Sequence, residues 1–551
     1  MEFLTQFLNK LLDSSIFYVY ISIAFIYLLI SISTYGLLHR RLPLPNLKIS
    51  LFSSYIIIFN YIGVLIVYAT HTNFFDHAEA NIATVSWLFQ TGKPIYHELQ
   101  SAERYTIPYG PALYLINGFF LNLLKPSIFS AKIGGLLAGG LSLLLIFYIL
   151  KNLIGSKIAT LCSAYISLNF IAIYVYFAAA TFWNRSDSFL LMFVALALLA
   201  VVRTNSLIAI LLSALSLGIS INLKIHGILY FLPIYILLYF RHGIYSTLVS
   251  ILGSLILAIA PFICLQQVSL KNYILWLGEF GKQGISFTLL KGNVVWSIYL
   301  FAPVVLIAIY FATNYKNDFI DFVKEHRILL LSVLTSLAAV AVIGSKAGAG
   351  MNHLIPFLPL SYYVFALILK QILTLNQDRV FRKTNKYYYC AYISFVLALL
   401  TVTALRGVLN EIHLLHLANK YNNEPIQEIQ EIIKFHPGIT IGMGYGGDYD
   451  LTYYRPLLVY RGNPYLIDAV SVMDAEYLGK KLPNETLKAI DSCQIKLWLI
   501  PKGGSPFQLY NYFNHRQVFN KEFTNIFLAN YERREESNYY DLWFCKESNP
   551  S

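Results

Sequence analysis

The sequence predicts a polytopic α-helical membrane protein with a C-terminal α/β domain outside the bilayer. Three observations carry that expectation. Of 551 residues, 57% are hydrophobic, 16% aromatic and only 13% charged, whereas soluble domains carry roughly 25% charged residues. Apolar runs long enough to cross a bilayer recur throughout residues 1–409. The basic residues between those runs fall on one side of them. The composition excludes a disordered or fibrous chain. The net charge of +12 is scattered between apolar segments, so no nucleic-acid partner is expected. Contact with anionic membrane lipid is expected instead.

A span needs about 20 largely apolar residues. About twelve segments meet that rule, near 15–38, 50–70, 130–150, 157–180, 188–203, 206–223, 226–240, 245–265, 295–313, 328–345, 352–372 and 387–406. The first lacks the basic leader and small-residue exit of a cleavable signal peptide. Arg40, Arg41 and Lys48 follow it, and later alternate loops carry Lys151 with Lys157, Arg203, Arg241, Lys316 with Lys324 and Arg327, and Arg379 with Arg382, Lys383 and Lys386. The positive-inside rule assigns that side to the cytoplasm. The expected location is a bacterial plasma (inner) membrane. The N-terminus, residues 71–129, the 266–294 loop and everything after 407 then face outward. Segment 110–124 is apolar but short. Counted as a span it would invert every later loop, so it is expected to lie in the outer interface.

Two regions are not membrane. Residues 71–129 form a long first outer loop, and 410–551 form a domain separate from the membrane part, 1–409. In the latter, Ile439–Ile441, Tyr465–Ile467 and Lys496–Ile500 read as strands with helices between. No repeat of fixed period is present. Cys162, Cys264 and Cys390 lie in apolar runs and read as core residues. Cys493 and Cys545 would be able to pair in an oxidising compartment, but spacing leaves that open. No metal-type Cys/His spacing occurs; no cofactor is expected to be required, and a divalent metal is possible but not indicated.

The chemistry-bearing residues gather on the outer side. The second span ends in His71-Thr72-Asn73-Phe74-Phe75-Asp76-His77-Ala78-Glu79. If this stretch is helical, Asp76 and Glu79 share a face. A carboxylate between phenylalanines and span ends is partly desolvated, which raises its basicity. That suits a general base for a hydroxyl. The competing explanation is an acid placed by the helix dipole. The loop continues through Gly92-Lys93-Pro94-Ile95-Tyr96 and Tyr105-Thr106-Ile107-Pro108-Tyr109-Gly110-Pro111-Ala112-Leu113-Tyr114. The next outer loop holds Phe182-Trp183-Asn184-Arg185-Ser186-Asp187.

In their order and common sidedness these motifs resemble the GT-C superfold of membrane glycosyltransferases. They are most similar to the family of protein O-mannosyltransferases and lipid A aminoarabinose transferases. The resemblance spans about residues 50–360. It differs in an extra span before the acidic loop, and in Pro108-Tyr109-Gly110-Pro111 where the family's interface helix has a Pro-Pro or Lys-Pro pair. It implies a polyprenyl-phosphate sugar donor, a glycan, lipid or protein acceptor, and inversion at the anomeric carbon. Asp76 then takes the acceptor proton, with Glu79 as its partner. The departing phosphate needs cations or donors; the candidates are Arg185, Lys224, His226, Lys346 and His353. Tyr105, Tyr109, Asn184, Asp187 and Asn352 are the candidate substrate contacts. The run from Gly344 to His353 holds three glycines, which permit close backbone approach to a ligand.

Gly442-Met443-Gly444-Tyr445-Gly446-Gly447 matches a dinucleotide fingerprint, with Asp468 about 20 residues on. Pro456 interrupts the helix that should follow, so a plain glycine-rich loop is expected. Asn184 and Asn484 head sequons that carry no weight here. A secondary transporter or lipid flippase is the main alternative, and a non-catalytic outer receptor the third. Transporters place ionisable residues near the midplane, whereas here Asp and Glu are scarce in span centres.

Overall fold

The computed structural model describes residues 47–173, 181–378, 386–420 and 423–546, together with Ala24 and Tyr27. Nine helices among the described residues are long and apolar enough to cross a membrane. They account for most of the expected spans. The stretch expected at 157–180 is a helix of 17 residues, Ser156–Ala172. Those expected at 226–240 and 245–265 join across Gly243, whose φ of 84° breaks the helix Leu232–Cys264. That left-handed backbone favours glycine. Most of span 15–38, and Arg40, Arg41, Arg379, Arg382 and Lys383, lie outside the described residues.

Helix ends fix the sidedness. Lys151, Arg203, Arg241 and Lys316 sit at one set of ends. The segments at 71–76, 181–185, 224–231 and 344–357 sit at the other. The tight turn between Ile154 and Ser156 is made by Gly155, at φ 81°.

Small residues let the helices approach. On Ser206–Leu223, Ser213, Ser216 and Ser220 are buried, and a Cβ on Gly218 would stand 2.6 Å from Leu257. Such small-residue seams are the usual packing device in lipid, where burying Leu against Leu gains little over lipid contact. The opposite faces bear exposed Leu207, Leu211, Leu252, Ile256 and Ile263. An apolar belt of that kind needs lipid over it.

Shorter helices cover the end opposite the basic loops. Pro111–Leu124, opened by its proline, buries Leu113, Tyr114, Asn117 and Leu121 and exposes Phe119, Leu123 and Leu124. At 14 residues it is too short to span, as its sequence suggested.

The C-terminal region is α/β. Its four-stranded sheet has the order β1 (Ile441–Met443), β2 (Leu497–Pro501), β4 (Tyr540–Cys545), β3 (Tyr531–Glu536). β1 and β2 are parallel and the rest antiparallel. Two expected strands are found, the first shifted by two residues and the second by one. Tyr465–Ile467 is not a strand. Its backbone pairs with one residue of the first outer loop, through Arg104 N to Leu466 O at 2.7 Å and Asp468 N to Arg104 O at 2.8 Å. The β3–β4 hairpin was not expected, because β3 is a charged edge strand with only Tyr531 buried. Cys493 and Cys545 form a disulfide, their Cα atoms 5.9 Å apart. The glycine-rich loop holds no ligand cradle at its end. Cβ atoms on Gly446 and Gly447 would lie 2.2 Å from Pro501 O and 2.3 Å from Lys502 O, so the protein's own backbone fills that space.

Candidate active site

The site begins at a helix N-terminus. Asp76 is the N-cap of His77–Gln90, and its Oδ1 accepts from Ala78 N at 2.6 Å. It thus lies just outside the helix, with Glu79 in the first turn. The side chain is buried, and its Oδ2 forms an ion pair with Arg185 Nη1. His77 Nδ1 stands 3.5 Å from Oδ1. Burial pushes the Asp76 carboxyl up, but Arg185, His77 and the Ala78 amide together hold it below its ordinary value. Desolvation was expected to raise its basicity; the arginine outweighs it.

Arg185 is placed by close packing of its loop. A Cβ on Gly135 would lie 2.3 Å from Trp183 O, and one on Gly139 2.7 Å from Phe182 Cβ. Those glycines let the 181–185 turn press against the helix Ile128–Ile154. Arg185 is the N-cap of Ser186–Arg203. Its Nη2 donates to Tyr109 Oη at 3.4 Å, and its Nε is 4.0 Å from Asp187.

Asp187 links the remaining candidates. Its Oδ1 accepts from Lys224 Nζ at 2.7 Å, and its Oδ2 from Asn352 Nδ2 at 3.3 Å. The His226 and His353 rings stack 4.8 Å apart, and Tyr230 Oη donates to His353 O at 2.7 Å. Buried charges persist only when paired or hydrogen-bonded, and here two carboxylates meet two cations.

These groups border a cavity of about 620 Å³ between the helix ends and the C-terminal region. Tyr109, Arg185, Lys224, His226, Lys346, Asn352 and His353 line it. Lys346 makes no ion pair among the described residues. Among the described residues His226 Nε2 has no hydrogen-bond partner. The cavity's walls at Ile225, Ile228, Leu229 and Ile343 are apolar. Its cation-rich lining beside such walls suits an amphipathic anion.

Not every candidate reaches the cavity. Glu79 is fully buried behind it. It accepts from Tyr68 Oη, from Asn184 N at 3.2 Å and from Phe75 N at 3.2 Å. Burial raises its carboxyl. It ties the two outer loops together and is no candidate for substrate contact. Asn184 is likewise buried within that brace. Tyr105 donates to Pro94 O at 3.0 Å and stacks on Tyr465 at 5.5 Å, joining the first outer loop to the C-terminal region. Asp187 is fully buried and orients Lys224 and Asn352.

Three residues were missed. Lys132, fully buried, donates to Tyr68 O, His71 O and Asn73 O at 3.0, 2.8 and 2.6 Å. It caps the carbonyl end of Leu47–Thr70 and holds the turn before Asp76. A lone lysine in an apolar run was the available signal. Asp474 and Gln283 also line the cavity, and no local pattern marks either. Among the described residues no group of three or more His, Cys, Asp or Glu is placed to hold a metal ion.

The chain has the GT-C fold of membrane glycosyltransferases. Its overlap with ArnT from Cupriavidus metallidurans bound to undecaprenyl phosphate has a TM-score of 0.52 at 13% identity, covering 89% of this chain and 97% of that one. The apo form of the same protein gives 0.48 at 12% identity, over 81% and 92%. An Archaeoglobus fulgidus oligosaccharyltransferase tethered to an acceptor peptide gives 0.41 at 11% identity, over 80% and 69%. By sequence, the profile of the dolichyl-phosphate-mannose-protein mannosyltransferases matches residues 108–268. That stretch includes Tyr109, Arg185, Lys224 and His226, but neither Asp76 nor the Gly344–His353 run. No curated protein matches the chain by sequence.

Proposed function

We propose that the protein is an inverting glycosyltransferase that moves a sugar from a polyprenyl-phosphate donor to a hydroxyl acceptor at the outer membrane face. One observation carries this: an ionised acid, Asp76, paired to an arginine on the rim of a cation-rich cavity with apolar walls. The match to the mannosyltransferase profile and the fold shared with a protein that binds undecaprenyl phosphate support it. The disulfide and the position of the cavity opposite the basic loops support an extracytoplasmic site.

Lys224, Lys346 and His226 receive the donor phosphate, while the polyprenyl chain follows the apolar wall. The acceptor oxygen attacks the anomeric carbon and its proton passes to Asp76. The bond from that carbon to the phosphate oxygen breaks, and the electron pair leaves with the polyprenyl phosphate. Arg185 serves both ends. While it pairs with Asp76 the carboxylate is a weak base. A phosphate competing for the same guanidinium, by the bidentate geometry arginine favours, frees Asp76 to accept a proton. Glu79, Lys132 and Asp187 act as positioning residues.

The test incubates purified protein with radiolabelled undecaprenyl-phosphate sugars and an extract of envelope acceptors. Transfer of label with release of undecaprenyl phosphate is expected. Movement of intact donor across a vesicle bilayer without bond cleavage would establish the flippase alternative instead.

A further inference from the structure

Asp474 is a buried acid that the reaction above does not use. It lies on the helix Ala469–Tyr477 of the C-terminal region, N-capped by Asp468 through Val470 N at 2.9 Å and Ser471 N at 3.3 Å. It lines the cavity that holds Arg185 and Lys224. Its Oδ1 accepts from Gln283 Nε2 at 2.9 Å. Gln283 belongs to the 265–286 loop, which is fastened to the run after Ile343 by Ser286 N to Ser345 O at 2.8 Å. A Cβ on Gly348 of that run would stand 3.7 Å from Asp474 Oδ1. Three segments far apart in sequence therefore meet in one wall. That wall carries a carboxyl and an amide, beside the apolar faces of Phe280 and Val470.

No cation pairs with Asp474 among the described residues. Burial, only partly offset by Gln283, pushes its carboxyl up to about 7. A neutral carboxylic acid offers a donor and an acceptor. Together with an amide it matches adjacent hydroxyl groups, which also give and take hydrogen bonds.

We propose that Asp474 and Gln283 form the sugar subsite of the donor, binding uncharged hydroxyls of the transferred sugar. The proposal rests on the glycosyltransferase reading and deepens it. The phosphate is held by the membrane part, and the sugar is read jointly by the C-terminal region and the 265–286 loop. Specificity then depends on a part of the chain that lies outside the membrane helices.

The test measures binding of undecaprenyl phosphate and of undecaprenyl-phosphate mannose and glucose to full-length protein in detergent. The wild type is expected to bind at least one glycosylated lipid more tightly than the bare one. Asp474→Leu should lose about 5- to 100-fold in affinity for that lipid, with binding of bare undecaprenyl phosphate unchanged. Asp474→Asn, which keeps a donor and an acceptor, should stay within about threefold of wild type. Equal loss for bare and glycosylated lipid would overturn the proposal and reduce Asp474 to a loop fastener. An Asn variant as weak as the Leu variant would overturn it in favour of a cationic sugar substituent. Wild-type indifference to the sugar would overturn it too, while leaving phosphate recognition intact. Failure of the wild type to bind bare undecaprenyl phosphate would bring down the glycosyltransferase reading itself, before any variant is compared.

Discussion

Two buried arginine–aspartate pairs lie close together, and they differ in what surrounds them. Arg185 lines a cavity and pairs with the buried Asp76, and its other side-chain contacts are long, 3.4 Å to Tyr109 and 4.0 Å to Asp187. Arg455 pairs with Asp468 at 3.0 Å inside the C-terminal region. It also donates to Thr452 O at 3.1 Å and to His77 O at 2.8 Å, while Tyr465 Oη donates to Asp468 at 2.6 Å. Neither member of this second pair lines the cavity, whereas Arg185 of the first does. The second pair grips the carbonyl of the residue after Asp76, so the closed pair braces the open one. The same two side chains serve as scaffold where backbone carbonyls and a tyrosine hydroxyl of the chain hold them away from the cavity. They serve as chemistry where a ligand is able to compete for them.

The comparison is broken or upheld first at Asp76. Asp76→Asn keeps an N-cap residue of equal quality and removes the base. Turnover should fall by about 10²–10⁴ with the thermal melting point nearly unchanged. Retained turnover would make Asp76 a scaffold residue like Asp468. Asp468→Asn should do the reverse. It leaves Arg455 buried without its counter-charge, a loss of roughly 3–5 kcal/mol. The melting point should drop sharply, while turnover per folded molecule persists. Equal turnover defects at normal stability would erase the distinction.

Arg185 and Lys346 sharpen the comparison next. Arg185→Ala removes a phosphate ligand and the partner of Asp76 together, so near loss of transfer is expected. Arg185→Lys keeps the charge without the fork and should be intermediate. Lys346→Ala removes only a cation, and the apparent donor affinity should weaken by about tenfold with kcat largely kept. Donor titrations on the three variants decide this. If Lys346→Ala is the most severe, the phosphate sits at the Gly344–His353 run and Arg185 belongs wholly to Asp76.

Much of this site was legible because membranes punish stray charge. Asp76, Arg185, Lys224 and Lys346 stood out as ionisable residues at span ends, and the structure brings all four to one place. The spans were legible for the same reason, since an apolar run of about 20 residues has few other uses. What sequence concealed was depth. Glu79 and Asp76 are three residues apart, yet Glu79 is sealed within the brace of the two loops while Asp76 pairs with Arg185, which lines the cavity. That depends on which loops pack over them, and those loops come from residues 184 and 450. The C-terminal region was read least well. Its strands are short, one is a charged edge, and the segment Tyr465–Ile467 spends its backbone bonds on Arg104 instead of a sheet. Asp474 had no signal at all, because an acid on a short helix outside the membrane part is ordinary until a cavity opens beside it.

Asp474 provides the smallest and most specific test, a carboxyl without the cation that both arginine pairs supply. Burial raises it from 3.8 to about 7, whereas an unfolded chain restores the ordinary value. The folded state therefore binds this proton more tightly than the unfolded state. The stability it contributes is full below pH 3.8 and is lost progressively as pH rises to about 7. Above that range both states are ionised and the loss is complete. Asp474→Asn cannot ionise and escapes the loss, while every other titration is shared by the two proteins and cancels in their difference. The melting point of the variant should rise relative to wild type between pH 4 and about 7 and then hold constant. Differential melting in detergent across that range measures it. A flat difference would mean that the acid is already ionised and solvated or paired. Asp474 would then resemble Asp76 in carrying a fixed charge, and a subsite for neutral hydroxyls would lose its physical basis.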